Sequence, residues 1–174
     1  MNSVSHEPLH ERRARTRKEI KQLISERNNV LSQYYNLVSQ VDQSQTDLEA
    51  EAESIIEQLQ EFCQELVDYL ATGHFEIYRR IEDGDERRNE IVELAAQVFP
   101  RITQTTEIAV CFNDLYDASN NFDHKLLHKL PEQLAKLGEE LATRIDLEDQ
   151  FINTLLSAPA IKPSPNENNE SISA

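Results

Sequence analysis

Between Glu61 and Ile81 the chain crowds Asp68, Tyr69, Thr72, His74, Phe75 and Tyr78 into about three helical turns. An acid, an imidazole, hydroxyls and aromatic rings at that density serve either catalysis or the recognition of a partner. Helical spacing separates the two faces of the segment. Phe62, Leu66, Leu70, Gly73, Ile77 and Ile81 share one side, and Asp68, Thr72, Phe75 and Arg79 share another. The second stripe is predicted to be exposed, with an aromatic ring that a purely solvated face would not carry, and exposed aromatics beside polar groups are how protein-binding surfaces are built. Gly73 costs roughly 1 kcal/mol relative to Ala inside a helix, so the pattern predicts that something approaches the backbone closely there.

Other constellations invite harder chemistry. His6-Glu7-Pro8-Leu9-His10 matches the His-Glu-x-x-His pattern of zinc hydrolases. That site needs both histidines on one face of a continuous helix, and Pro8 removes a helical hydrogen bond between them. A di-metal carboxylate bundle needs Glu three residues before His on two helices. Here Ala71, Asn121 and Lys125 precede His74, His124 and His128. A histidine phosphotransfer bundle carries Lys and then Gly three and four residues after its His. His74 is followed at those places by Ile77 and Tyr78, and His124 by Leu127 and His128. No catalytic set, metal site, cofactor or small-molecule ligand is therefore expected. Glu148 is the oddest single residue. The series 134, 137, 141, 145, 148, 152, 155 puts it on an apolar stripe, where a carboxyl either must be hydrogen-bonded, paired or protonated, or stands at the stripe's edge and reaches water. His74 and the hydroxyls of Tyr34, Tyr35 and Tyr69 are its candidate partners.

The elements that must position these residues are all helical. Ile20, Leu23, Ile24, Val30, Leu31, Tyr34, Leu37 and Val38 predict a first helix from about Leu9 to Ser39. A polar link from Gln40 to Thr46 follows, and Thr46 or Asp47 caps a second helix that ends at Gly84. A third runs from about Asp85 to Ser119 and is kinked rather than broken by Pro100. Asn120-Asn121 breaks the chain, and a fourth helix follows in which Pro131 either kinks the first turns or starts the helix. Short links make successive helices antiparallel neighbours, so the expected fold is an all-α, up-down-up-down four-helix bundle of long helices over residues 1–157, frayed at 1–8. The Pro- and Ser-rich residues 158–174 are expected to be a disordered tail. Cys63 and Cys111, both in apolar helical patterns, are expected to be buried and reduced.

With 17 Lys/Arg against 32 Asp/Glu the formal net charge is −15. Its distribution is uneven: residues 1–27 hold seven Lys/Arg against four Glu, and residues 28–174 hold ten against twenty-eight acids. An acidic body repels nucleic-acid phosphates and attracts basic surfaces, many of which are DNA-binding domains. No apolar run approaches the roughly 20 residues of a membrane span and no signal peptide is visible, which predicts a cytoplasmic protein with no membrane contact.

Phe62-Cys63-Gln64-Glu65-Leu66-Val67-Asp68-Tyr69, followed by Gly73-His74-Phe75-Glu76-Ile77-Tyr78, resembles the Rsd/AlgQ family of bacterial sigma-factor regulators. Gln33-Tyr34-Tyr35-Asn36-Leu37-Val38 is similar to the family's first-helix block. Leu137-Gly138-Glu139-Glu140-Leu141, with Arg144 and Leu147-Glu148-Asp149, is similar to its last-helix block. The resemblance covers roughly residues 20–157. It departs at Gln22-Leu23, where relatives commonly carry Arg-Trp, and at Ala71-Thr72, where Ser-Ala is usual. What it implies is the same bundle acting as an anti-sigma factor, a non-enzyme that binds region 4 of the primary sigma factor. It also implies Asp68, Tyr69, Thr72, His74, Phe75 and Tyr78 as the contact set, with Tyr34, Tyr35, Arg144, Glu148 and Asp149 supporting fold or binding. A signalling adaptor that binds another regulatory protein would use the same surface.

Overall fold

The computed structural model describes residues 9–44, 48–117 and 124–157. The expectations placed on residues 1–8, on Thr46 and Asp47, on Asn120-Asn121 and on the tail 158–174 lie outside that set. Four long helices make the fold: α1 (Leu9–Gln43), α2 (Ala52–Thr72), α3 (Asn89–Tyr116) and α4 (Leu130–Ser157). After Thr72 the rod of α2 continues through a π-helical turn (Gly73–Tyr78) and a last α-turn (Arg79–Glu82). A 3₁₀ segment (His124–Lys129) leads into α4.

Hydrogen bonds between helices fix their directions. Gln40 meets Ser54 and Arg80 meets Thr16, so α1 and α2 run antiparallel. Phe62 packs on Phe112 and Tyr78 on Phe99, which reverses α3 against α2. Arg88 reaches the Leu155 carbonyl and Arg144 the Thr105 and Thr106 hydroxyls, which reverses α4 against α3. Tyr34 with Leu134, and Arg27 with Asp149, close the ring between α1 and α4. The result is the up-down-up-down bundle.

The core follows one rule in every helix. Buried positions alternate three and four apart at 52, 55, 59, 62, 66, 69, 73 along the second rod, at 91, 95, 98, 102, 105, 109, 112, 116 in α3 and at 130, 134, 137, 141, 144, 148, 151, 155 in α4, with Cys63, Leu70 and Ile152 buried beside that line. α1 keeps the same phase at 20, 23, 30, 37 and 41, the intervening Arg27 and Tyr34 being only partly buried. A repeat averaging 3.5 residues keeps a straight seam facing the neighbours and gives bundle helices their shallow crossing. Burying each of the large apolar seam side chains stabilises the fold by about 1.5–3 kcal/mol.

Several boundaries differ from expectation. The first helix continues through Gln43, because Val41 is buried and one more seam contact outweighs the polar residues around it. α2 starts at Ala52 behind Glu51, which makes no side-chain cap. α3 starts at Asn89 and runs unbroken through Pro100, and Pro131 lies in the first turn of α4, where a missing N–H is tolerated. Cys111 is exposed, not buried, whereas burial first, and Asp117 second, push the Cys63 thiol up to about 12. Gly84, at φ +77°, ends the second rod as expected. The Gly84 N–H reaches the Ile81 carbonyl and the Asp85 N–H reaches Arg80, the double bond pattern of a Schellman motif.

Candidate partner-binding site

The π-helical turn governs the site. In a continuous α-helix Tyr69 and Tyr78, nine residues apart, stand about two and a half turns from each other and point to opposite sides. The extra residue in the turn, sealed by the Arg79 N–H bonding to the His74 carbonyl, slips the seam by one: after 69 and 73 the buried residues are 77 and 78. Both tyrosines thereby face inward, while His74, Phe75 and Glu76 are pushed outward as one exposed run.

Beneath that run lies a buried polar network to which all four helices contribute. Arg144 and Glu148 of α4 are each 1% exposed. Glu148 Oε2 accepts from the Tyr69 hydroxyl at 2.5 Å. Its Oε1 accepts from the Tyr78 hydroxyl at 2.6 Å and from Arg144 Nε at 2.8 Å. Arg144 also donates through Nη1 to the Thr106 and Thr105 hydroxyls of α3, at 2.7 and 3.3 Å. Its guanidinium lies 5.2 Å from the Tyr69 ring centre and 5.8 Å from that of Tyr78, within cation–π range. Arg27 of α1 approaches Glu148 to 3.9 Å and pairs with Asp149 at 2.7 Å. Burial, then the Glu148 charge, raises both tyrosine hydroxyls well above the ordinary phenol value. Burial alone would lower Arg144, but Tyr78 and Glu148 beside it hold its pKa above the usual guanidinium range. This is the satisfied arrangement that a buried ion pair requires.

Two glycines make room for aromatic rings. A Cβ on Gly73 would stand 3.1 Å from the Tyr78 ring and 3.2 Å from Arg144 Nη2. The close approach predicted at Gly73 therefore comes from inside the protein. A Cβ on Gly138 would collide with the Tyr34 hydroxyl, which donates to the Leu134 carbonyl at 2.8 Å.

The predicted contact residues thus divide. Asp68, His74 and Phe75 are exposed and Thr72 is half-buried. Phe75 is 58% exposed and its ring packs edge-on against His74 at 4.9 Å. Tyr69 and Tyr78 are buried, so a partner docked on this face would rest above them without touching them. Of the partners nominated for Glu148, Tyr69 alone makes the bond. His74 is exposed, Tyr34 bonds elsewhere, and Tyr35 is 72% exposed. Sequence reasoning missed Arg27, Thr105 and Thr106. The signal for Arg27 was its place in the seam between Leu23 and Val30, and for Thr105 its place between Ile102 and Ala109. Among the described residues no three His, Cys, Asp or Glu side chains converge as a metal would need, and no helix is long and apolar enough to cross a membrane.

The family described as regulator of RNA polymerase sigma(70) subunit, Rsd/AlgQ, matches residues 3–156. Proteins named regulator of sigma D from Escherichia coli O139:H28 and from Shigella boydii serotype 18 are each 33% identical over 138 residues, covering 78% of this chain and 82% of theirs. No solved structure matches the chain. A family match over nearly the whole chain and relatives at this identity and coverage place this chain in the Rsd/AlgQ family of sigma-factor regulators.

Proposed function

We propose that this protein is an anti-sigma factor that binds region 4 of the primary sigma factor through the outer face of α2, with Phe75 as apolar anchor and Asp68, Thr72 and His74 around it. The observation that carries this reading is Phe75 itself, held out of the core at 58% exposure by a turn whose neighbours are locked from below. Region 4 is a helix-turn-helix module that carries positive charge to grip DNA phosphates. A chain of net charge −15 steers such a module towards itself, and Asp68 offers a direct counter-charge. Occupying that module blocks recognition of the promoter −35 element and weakens its hold on core polymerase, which leaves polymerase to alternative sigma factors. The action is in the cytoplasm and makes or breaks no covalent bond.

Titration of isolated region 4 into the full chain tests this. Phe75→Ala should weaken binding by about 2 kcal/mol or more, the range of a buried aromatic anchor, and Asp68→Ala by about 1 kcal/mol. Both variants should keep wild-type helicity, and affinity should fall as salt rises. Unchanged affinity in both would remove this face from the account.

A further inference from the structure

The first turns of α1 stand apart from the acidic body in both position and charge. Arg80, near the end of the second rod, reaches back to Glu19 at 2.9 Å and to Thr16 at 3.3 Å. Residues 9–15 extend about 10 Å toward the N-terminus from that tie, at 1.5 Å per residue. From Leu9 to Lys21 the chain holds six Lys/Arg against two Glu, net +4, leaving −19 on the remainder. His10, Arg13 and Ala14 of this arm, with Arg17, Lys18 and Lys21 at its root, line one open face. Arg13, Arg17 and Lys21 follow one another at intervals of four, so like charges repel along a single stripe near the positive end of the helix dipole. A helix needs no such arrangement for its own stability.

The chemistry of the face narrows what it binds. Ala14 is its one apolar side chain, so it offers no aromatic or aliphatic anchor of the kind a protein interface is built around. It also lacks the apolar stripe by which a basic helix enters a bilayer surface. The proposed region 4 partner gains nothing from cations, being cationic itself. We infer that this arm binds the phosphate backbone of nucleic acid, independently of base sequence and independently of the Phe75 face. Phosphate binding is electrostatic and needs no anchor, and a duplex presents one negative charge per ~1.7 Å of axis. At physiological salt the screening length is about 8 Å, so a projecting arm feels its acidic body weakly. The expectation that an acidic chain avoids nucleic acid is thereby confined to the bundle.

The test uses the full chain with fluorescein-labelled 20-base-pair duplexes of arbitrary sequence, one of DNA and one of RNA, followed by anisotropy between 50 and 200 mM salt. Binding is expected at the low end for either or both duplexes, with log K falling against log salt at a slope of about −3 for three neutralised phosphates. Arg13→Ala/Arg17→Ala/Lys21→Ala should lose at least tenfold in affinity and most of that slope, with helicity kept and region 4 binding not weakened. Two results overturn the inference: no binding to either duplex at 50 mM, or equal binding by the triple variant. Where the first result comes with loss of a protein contact in that variant, the arm belongs to a protein interface.

Discussion

Arg144 and Glu148, one turn apart on α4, are a pair whose partners come from every other helix. Removing one member strands the other in the core, so Arg144→Met and Glu148→Leu should each cost about 3–5 kcal/mol in urea unfolding. The double variant removes both charges and should fall short of the summed losses by about 2 kcal/mol. Strict additivity would show that the two do not share one network. Glu148 was legible as an anomaly because a carboxyl stood on an apolar stripe. Arg144 was not, since counting by hydrophobicity put Ile145 in the seam. The structure buries Arg144 and leaves Ile145 half-buried, because a guanidinium one turn from Glu148 gains an ion pair that an isoleucine cannot supply.

At the scale of the element, the π-helical turn decides what the second rod shows and hides. Replacing an interior helical glycine by alanine ordinarily stabilises by about 1 kcal/mol. Gly73→Ala should instead destabilise by about 1–3 kcal/mol, the cost of overpacking. The Tyr78 ring is packed against Phe99 and Phe151, and Arg144 is fixed by its hydrogen bonds, so neither can retreat from a new methyl. A rise in melting temperature for this variant would mean that the turn relaxes freely. The four helices themselves were legible, because periodic apolar residues and short polar links constrain little else. The inward placement of Tyr78 was not, although Tyr69 stood among the candidate partners of Glu148. Side-chain type marks a tyrosine as fit for surface or core, and an inserted residue in a helical turn leaves no mark in composition. Gly73 was its one sequence signal, and it pointed to a close approach without saying from which side.

Across the whole molecule, buried hydroxyls set the alkaline limit. Tyr69 and Tyr78 titrate above the ordinary 10.0 in the folded chain, through burial first and Glu148 second. A raised folded pKa contributes stability that is present below the unfolded value and is lost as pH climbs through the folded one. Stability should therefore decline above about pH 10, by up to about 1.4 kcal/mol per pH unit for each tyrosine. Tyr116 and Cys63, pushed up to about 12 chiefly by burial, add to the same decline. Urea midpoints between roughly pH 9 and 11 should fall less steeply in Tyr69→Phe/Tyr78→Phe than in wild type, and parallel profiles would contradict the assignment. The convergence of four helices on one ion pair also bears on how the chain assembles. With α4 docked but α2 or α3 absent, Glu148 lacks its tyrosines or Arg144 its threonines, so a charged group is left short of its companions. Half-built forms are penalised, and the chain comes together, or falls apart, as a single cooperative unit.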